Sequence, residues 1–334
     1  MFDITSSRFR LLLLLGLWVA SIHGMAQNGS AQLPSPSNCS AAPEAIIITQ
    51  ADSSQITILG KGDMNNHWTE TVDGYTIVRN HNGIYEYAKK TNGQLQAGGT
   101  KANDPLNRNQ AEINYLKGVT KHMQADLNPL KTSILNQVNA GLRTKSMPTS
   151  GTIRVLALLI DYPDLVSTYT LNDFDSVLTD TTNNSVHGSF KTYYRHASGN
   201  QLEINVDVMG WYRADSNFIY YGRDSGFARA ADLVREAVDA AEVAGANFAN
   251  YDNDNDGNVD GILAVHAGQG AEQGSQTQFI WSHRWVLRGG NSGSVTYDGK
   301  VIDDYIMNPE VTLVGGTSRL VGIGVFAHEF GHNL

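Results

Sequence analysis

His328, Glu329 and His332 are the residues of this 334-residue chain best placed to do chemistry. They stand in the run Phe326-Ala327-His328-Glu329-Phe330-Gly331-His332-Asn333-Leu334, an H-E-x-x-H pattern. On a helix, residues four apart lie one turn apart and about 40° around the axis, so both imidazoles can reach one ion. Glu329, beside the first of them, is placed to take a proton from a water held at that ion and to hand it later to a leaving amine. Two ligands and a general base on one turn of backbone suit zinc-assisted hydrolysis of a peptide bond. The same pattern also occurs on ordinary helices that merely carry histidine. Here, however, the preceding run from Leu320 to Ala327 is almost wholly apolar and suits a buried helix. Buried polar groups without partners are costly, and one metal ion satisfies both imidazoles at once.

A second constellation is Asp252-Asn253-Asp254-Asn255-Asp256-Gly257-Asn258-Val259-Asp260. Its carboxylates fall at the first, third, fifth and ninth places of a calcium loop, with Gly257 at the sharp turn and Asn258 offering a backbone carbonyl. The expected calcium ligands are therefore Asp252, Asp254, Asp256, Asn258 and Asp260. Leu263 stands where such a loop carries its bidentate Glu, so the set is incomplete and needs another donor or water. The plainer alternative is a solvated acidic turn.

The elements that must position these groups fall into three stretches. Residues 1–26 read as a secretory signal: Arg8 and Arg10, an apolar run from Leu11 to Ala20, then Gly24-Met25-Ala26 as a small-x-small cleavage site. The run is short for a membrane span of about 20 residues, so no membrane association is expected once the signal is removed. Residues 27–147 read as a pro-region. After a Pro/Ser/Asn-rich link, strand-like alternation at Ile46–Ile48, Ile56–Leu59, Tyr75–Val78 and Ile84–Tyr87 is punctuated by Asp73-Gly74, Asn82-Gly83 and Asn92-Gly93. This predicts a small antiparallel unit, with His67 and His81 as surface strand residues. Asp104-Pro105 then opens a helix with an apolar stripe at Ile113, Leu116, Val119, Met123 and Leu127. A second short helix reaches Ala140, and residues 141–151 read as a linker suited to processing.

A different pattern fills residues 148–334. Ile153–Ile160 is a nearly continuous apolar run and predicts a strand buried on both faces. Leu202–Val208 alternates as a half-exposed strand, and residues 225–245 carry a helical stripe. Gly261–Gly268 and Ile280–Leu287 predict two more strands, the latter with Trp281, His283 and Trp285 on one face. With the terminal metal helix, this describes an α+β domain: a mixed sheet backed by helices.

Composition narrows the function classes. A hydrophobic content of 41 % supplies ample core, and a net charge of −9 argues against nucleic acid as the main partner. Cys39 is the sole cysteine, which excludes an intrachain disulfide. It could reach a zinc as an inhibitory pro-region thiolate, but a single cysteine in such a segment reads first as incidental. Arg284, His266 and Glu310 sit near apolar strands and read as structural partners.

Several further motifs accompany these two. Ser189–Tyr194 with Ser198–Leu202, Gly210-Trp211-Tyr212, Tyr220-Tyr221-Gly222, Asp256–Gly261, Ala264–Gly268 and Trp281–Trp285 together resemble the core of the immune-inhibitor-A family of secreted bacterial metalloproteases. Gly60–Asp63, His67-Trp68 and Asp73-Gly74-Tyr75 look like the pro-region of related proteases. The resemblance covers most of residues 55–334. It implies a zincin fold, an inhibitory pro-region removed on maturation, extracellular location, and endopeptidase activity on proteins or peptides. Related proteases continue past this motif to a third zinc ligand and a lower subdomain, so the sequence reads as truncated, and a chain ending at Leu334 is expected to be inactive with a fraying ligand turn. The competing expectation is a secreted, calcium-stabilised binding or adhesion module whose H-E-x-x-H is vestigial.

Overall fold

A computed structural model describes residues 39–63, 66–126, 147–182, 188–222, 227–274, 276, 278–314 and 317–334. The expected signal peptide, the second pro-region helix and residues 141–146 of the linker lie outside them. All the described residues belong to one compact unit. Its class is α+β, with three sheets and six α-helices among those residues.

The first sheet is an antiparallel meander in chain order: β1 (Ile46–Thr49), β2 (Gln55–Gly62), β3 (His67–Thr71), β4 (Thr76–Arg79), β5 (Tyr85–Thr91) and β6 (Gln94–Lys101). The four expected strands are present. Between β5 and β6, Asn92 and Gly93 take φ of 50° and 77°, the left-handed pair that a tight hairpin requires. β3 (His-Trp-Thr-Glu-Thr) and β6, rich in Gln and Gly, are additional and carry little apolar alternation. Ile46, Ile56, Ile58, Ile77, Tyr85 and Tyr87 form the core of this unit with Leu116.

The expected helix after Asp104 is corrected. Pro105–Asn107 is a single 3-10 turn, and the Asp104 carboxylate bonds Thr57 instead of capping it. Helix α1 (Gln110–Leu116) starts from Asn109, whose side chain accepts from the Glu112 amide, and ends well before Leu127. The stripe breaks because His122 is drawn onto the sheet: its amide donates to the Gly74 carbonyl and its ring meets the buried Glu70 carboxylate.

The second sheet runs β10-β13-β9-β7-β8, and β14 also pairs with β13, further along it than β10. Its strands are β7 (Gly151–Asp161), β8 (Leu202–Arg213), β9 (Ile262–Gln269), β10 (His283–Val286), β13 (Asp304–Val314) and β14 (Thr317–Leu320). β11 (Val295–Tyr297) and β12 (Lys300–Ile302) form a separate hairpin. β8, β7, β9 and β13 are mutually parallel, and β10 and β14 run antiparallel to β13, so the sheet is mixed. β7 is buried on both faces, as its apolar run predicts. Leu156, Leu158 and Ile160 face a core shared with helix α5 (Ala228–Val243). Val155, Ala157 and Leu159 face the opposite core, which takes in α2 (Leu171–Thr179), α3 (Phe190–Ala197) and α6 (Ile323–Gly331). The remaining helix, α4 (Phe218–Gly222), packs on α5.

Two expectations on this sheet are revised. β10 is shorter than Ile280–Leu287. His283 and Trp285 lie within it, whereas Trp281 precedes it and packs against Cys39 and the ring of His67. Leu320 belongs to edge strand β14, so the terminal helix starts later, at Ile323, with Gly322 as its N-cap residue.

The first sheet docks on the second through residues 270–274. The Thr69 hydroxyl donates to the Gly274 carbonyl at 2.9 Å, and a Cβ on Gly274 would meet the side chains of Ile46 and Ile58. Leu313 of β13 joins the first sheet's core, and its amide donates to Gln273.

Candidate active site

Helix α6 presents two stripes. Phe326, Glu329, Phe330 and Asn333 recur at three- and four-residue spacing and are buried against the sheet and α3. His328 and His332 occupy the neighbouring stripe and are exposed. The buried stripe is fixed by aromatic packing: Phe330 meets Phe190 and Tyr194 edge-on, with centroids 5.1 and 5.2 Å apart. Full burial of each phenyl ring is worth about 1.5–3 kcal/mol. The Tyr194 hydroxyl donates to the Ala327 carbonyl at 2.6 Å, which pins the turn bearing the histidines.

The helix end has tertiary partners as well. Arg284, from β10, donates through Nε to the Asn333 side-chain oxygen and through Nη2 to Asp304. The Asn333 carbonyl accepts from the Met147 amide at 3.0 Å. Arg284 is thus a clamp on the ligand helix.

His328 Nε2 and His332 Nε2 converge to 3.4 Å. Two nitrogens bound to one tetrahedral zinc at about 2.05 Å stand about 3.3 Å apart, so the pair has the spacing such an ion requires. The protonated form of His332 is disfavoured by partial burial and by the nearby His328 and Arg284, which suits a ring that must offer a lone pair. Glu329 has no solvent exposure, and its carboxylate lies within 4.8 Å of both a His328 ring nitrogen and Cys39 Sγ. A cleft of about 830 Å³ opens on this side, along Leu320, Gly322, Ile323 and Gly324 to His328. The first turn of α6 is therefore cleft wall, not the buried run its composition suggests. A separate cleft of about 680 Å³ lies away from the histidines, between β3–β5 of the first sheet and Gln276 and Gln278.

Over residues 143–334, more than half of the chain, the sequence matches the family described as immune inhibitor A peptidase M6, catalytic domain. The chain belongs to the immune inhibitor A peptidase family. A pre-pro-metalloprotease PrtV of Vibrio cholerae serotype O1 is 32 % identical over 232 residues, covering 55 % of this chain and 24 % of that protein. An immune inhibitor A of Bacillus thuringiensis subsp. alesti is 30 % identical over 177 residues, covering 44 % of this chain and 24 % of its own length. The chain thus spans about a quarter of the length of these relatives.

In this chain, the acidic loop brings together three of the five expected calcium ligands: carboxylate oxygens of Asp252, Asp254 and Asp256 lie within 4.8 Å of one another. Gly257 takes φ of 90° at the turn. Burial opposes ionisation of Asp252, but the Lys300 ammonium at 2.6 Å and the amides of Gly257 and Asp256 hold its carboxyl below the usual range. Asp260 turns one oxygen to the amide and side chain of Asn253, and Asn258 donates to Asp256. Those two residues serve the loop's own bonding in this arrangement.

Glu310 and His283 have structural partners, and His266 Nδ1 bonds the Ala267 carbonyl. Glu310 accepts from the amides of Thr168, Tyr169 and Gly268, tying the segment before α2 to the end of β9. His266 and His283 are buried, and desolvation pushes each down to about 4, so both are neutral near pH 7. His283 bonds the Trp281 carbonyl and the Tyr305 hydroxyl. Cys39 is the residue that the sequence reading underrates. It is 289 positions from His328 and is brought beside it by the docking of the first sheet.

Proposed function

We propose that the chain is the precursor of a secreted zinc-dependent endopeptidase. Residues 1–26 are its signal peptide, 27–147 its pro-region, and 148–334 belong to a zincin-like catalytic domain that acts on proteins or peptides. The 3.4 Å approach of the two Nε2 atoms carries this reading. Zinc held there supplies Lewis acidity to a peptide carbonyl and makes water a nucleophile near neutral pH. His328 and His332 hold the ion. The substrate chain lies in the cleft beside β14 and the first turn of α6. Glu329, shielded from bulk solvent, accepts the proton of the attacking water and delivers it to the departing amine.

The test is made on secreted protein that cleaves casein. Its mature N terminus should map to residues 141–151, and 1,10-phenanthroline should abolish cleavage, with activity returning on addition of about one equivalent of zinc. Cleavage indifferent to the chelator would remove the zinc reading. A stable N terminus within residues 45–130 or beyond Ile160 would move the pro-region boundary.

We also propose that the loop at 252–260 takes calcium, on the strength of the three converged carboxylates. A ligand that binds only the native state, at a hundredfold excess over its Kd, adds about 2.7 kcal/mol of stability. Calcium should therefore raise the melting temperature by several degrees, displacing Lys300 from Asp252. The double variant Asp254→Ala/Asp256→Ala should lose that response. An equal rise in both proteins rules the loop out.

A further inference from the structure

We propose that Cys39 is a protein ligand of the same ion in the precursor, filling the position that hydrolysis needs open. This rests on the zinc reading above. Cys39 Sγ, a His328 ring nitrogen and a Glu329 carboxylate oxygen all lie within 4.8 Å of one another, and the thiol is in hydrogen-bonding reach of Glu329. Glu329 must work on a water beside the metal, so a sulfur next to its carboxylate stands in that water's place. Imidazole and thiolate are the donors that structural zinc sites combine, and such sites are closed where catalytic ones keep a position free.

The thiol is delivered by a built segment. Residues 39–42 are laid between the first sheet and the loop before β10. The Trp281 indole donates to the Cys39 carbonyl at 3.1 Å. The Ala41 amide donates to Gly62 in β2, and the Ala42 amide to the Glu272 carbonyl, both at 2.9 Å. Ser40 bridges to Asp63. Cys39 itself is buried with Ala271 and Trp281, with the ring of His67 packed on Trp281 at 4.7 Å. The bonds to Trp281 and Glu272 that aim the thiol are thus among the contacts that hold the first sheet and its leading segment against the rest of the chain.

On ligation the S–H bond is exchanged for a sulfur–metal bond, and the proton passes to the Glu329 carboxylate within reach. The base and the open position are occupied in one event, and the chain is latent. When residues 39–42 leave with the pro-region, the position opens to water and Glu329 is available again.

Cobalt(II) is a probe that needs no turnover. Because Cys39 is the sole cysteine, any thiolate-to-cobalt charge-transfer absorption of the intact chain reports on it alone. The wild-type chain loaded with one cobalt should show that near-ultraviolet band. Cys39→Ser should lack it and bind cobalt at least about 10-fold more weakly, as even outer-shell changes at metal sites do. The band is read on the wild-type protein, so the test stands even if the variant folds poorly. Cobalt uptake that is lost in His332→Ala, with no thiolate band in the wild type, would overturn the role of Cys39 and leave the zinc reading intact. No uptake by the wild type, or uptake indifferent to His332→Ala, would overturn both.

Discussion

Glu329→Gln should lower peptide hydrolysis by roughly 10²–10⁴-fold, the range contributed by a positioned general acid–base group, with zinc content unchanged. The reason is a division of labour on one helix. The two imidazoles proposed to hold the ion stand on the exposed stripe, whereas the carboxylate occupies the buried stripe with Phe326 and Phe330. Glutamine keeps the shape of the side chain and its acceptor oxygen but cannot take the proton. The measurement is casein cleavage, in any form of the protein that shows it, beside metal analysis of the same sample. Loss of zinc from the variant would mean that Glu329 serves the metal and not the proton, and the assigned role would fall.

His332→Ala, by contrast, should empty the site. Removing one imidazole leaves His328 without the partner that sets the tetrahedral spacing. Even outer-shell substitutions cost roughly 10–100-fold in metal affinity, so loss of a ligand should exceed about 100-fold. Fold should survive, because His332 is exposed and the helix is held by Phe330, Tyr194 and the Arg284–Asn333 clamp. A shared proton between the two rings would also bring their nitrogens to 3.4 Å, and metal uptake separates the two explanations. Circular dichroism like that of the wild type, with zinc retained at full stoichiometry, would count against the histidine pair.

What could be read from the sequence was what local pattern encodes. β7 announces itself because both its faces are apolar, and the H-E-x-x-H turn because its chemistry lies within five residues. The central strand β13 does not. It carries Asn308, Pro309 and Glu310 in its buried stretch: Glu310 finds three amide donors and the register shifts at Pro309, whereas the Asn308 side chain has no hydrogen-bond partner among the described residues. Helices α2 and α3 begin with capping boxes, Thr170 with Asp173 and Ser189 with Thr192, a local signal that the sequence carries. The division of α6 into a buried Glu329 and exposed histidines depends on α3 and the sheet, which spacing alone cannot supply. Cys39 lay furthest from reach. Its place beside Glu329 is set by Trp281, Gly62 and Glu272, three partners scattered through the chain and joined only by tertiary docking.

The central claim is that His328 and His332 together hold a zinc ion, and X-ray absorption at the zinc edge addresses it directly. Protein loaded with one zinc should show imidazole scattering from nitrogens at about 2.0–2.1 Å, reduced in His332→Ala when that variant is forced to bind at high metal concentration. A first shell made of oxygen alone, or a spectrum identical in the wild type and His332→Ala, would contradict it.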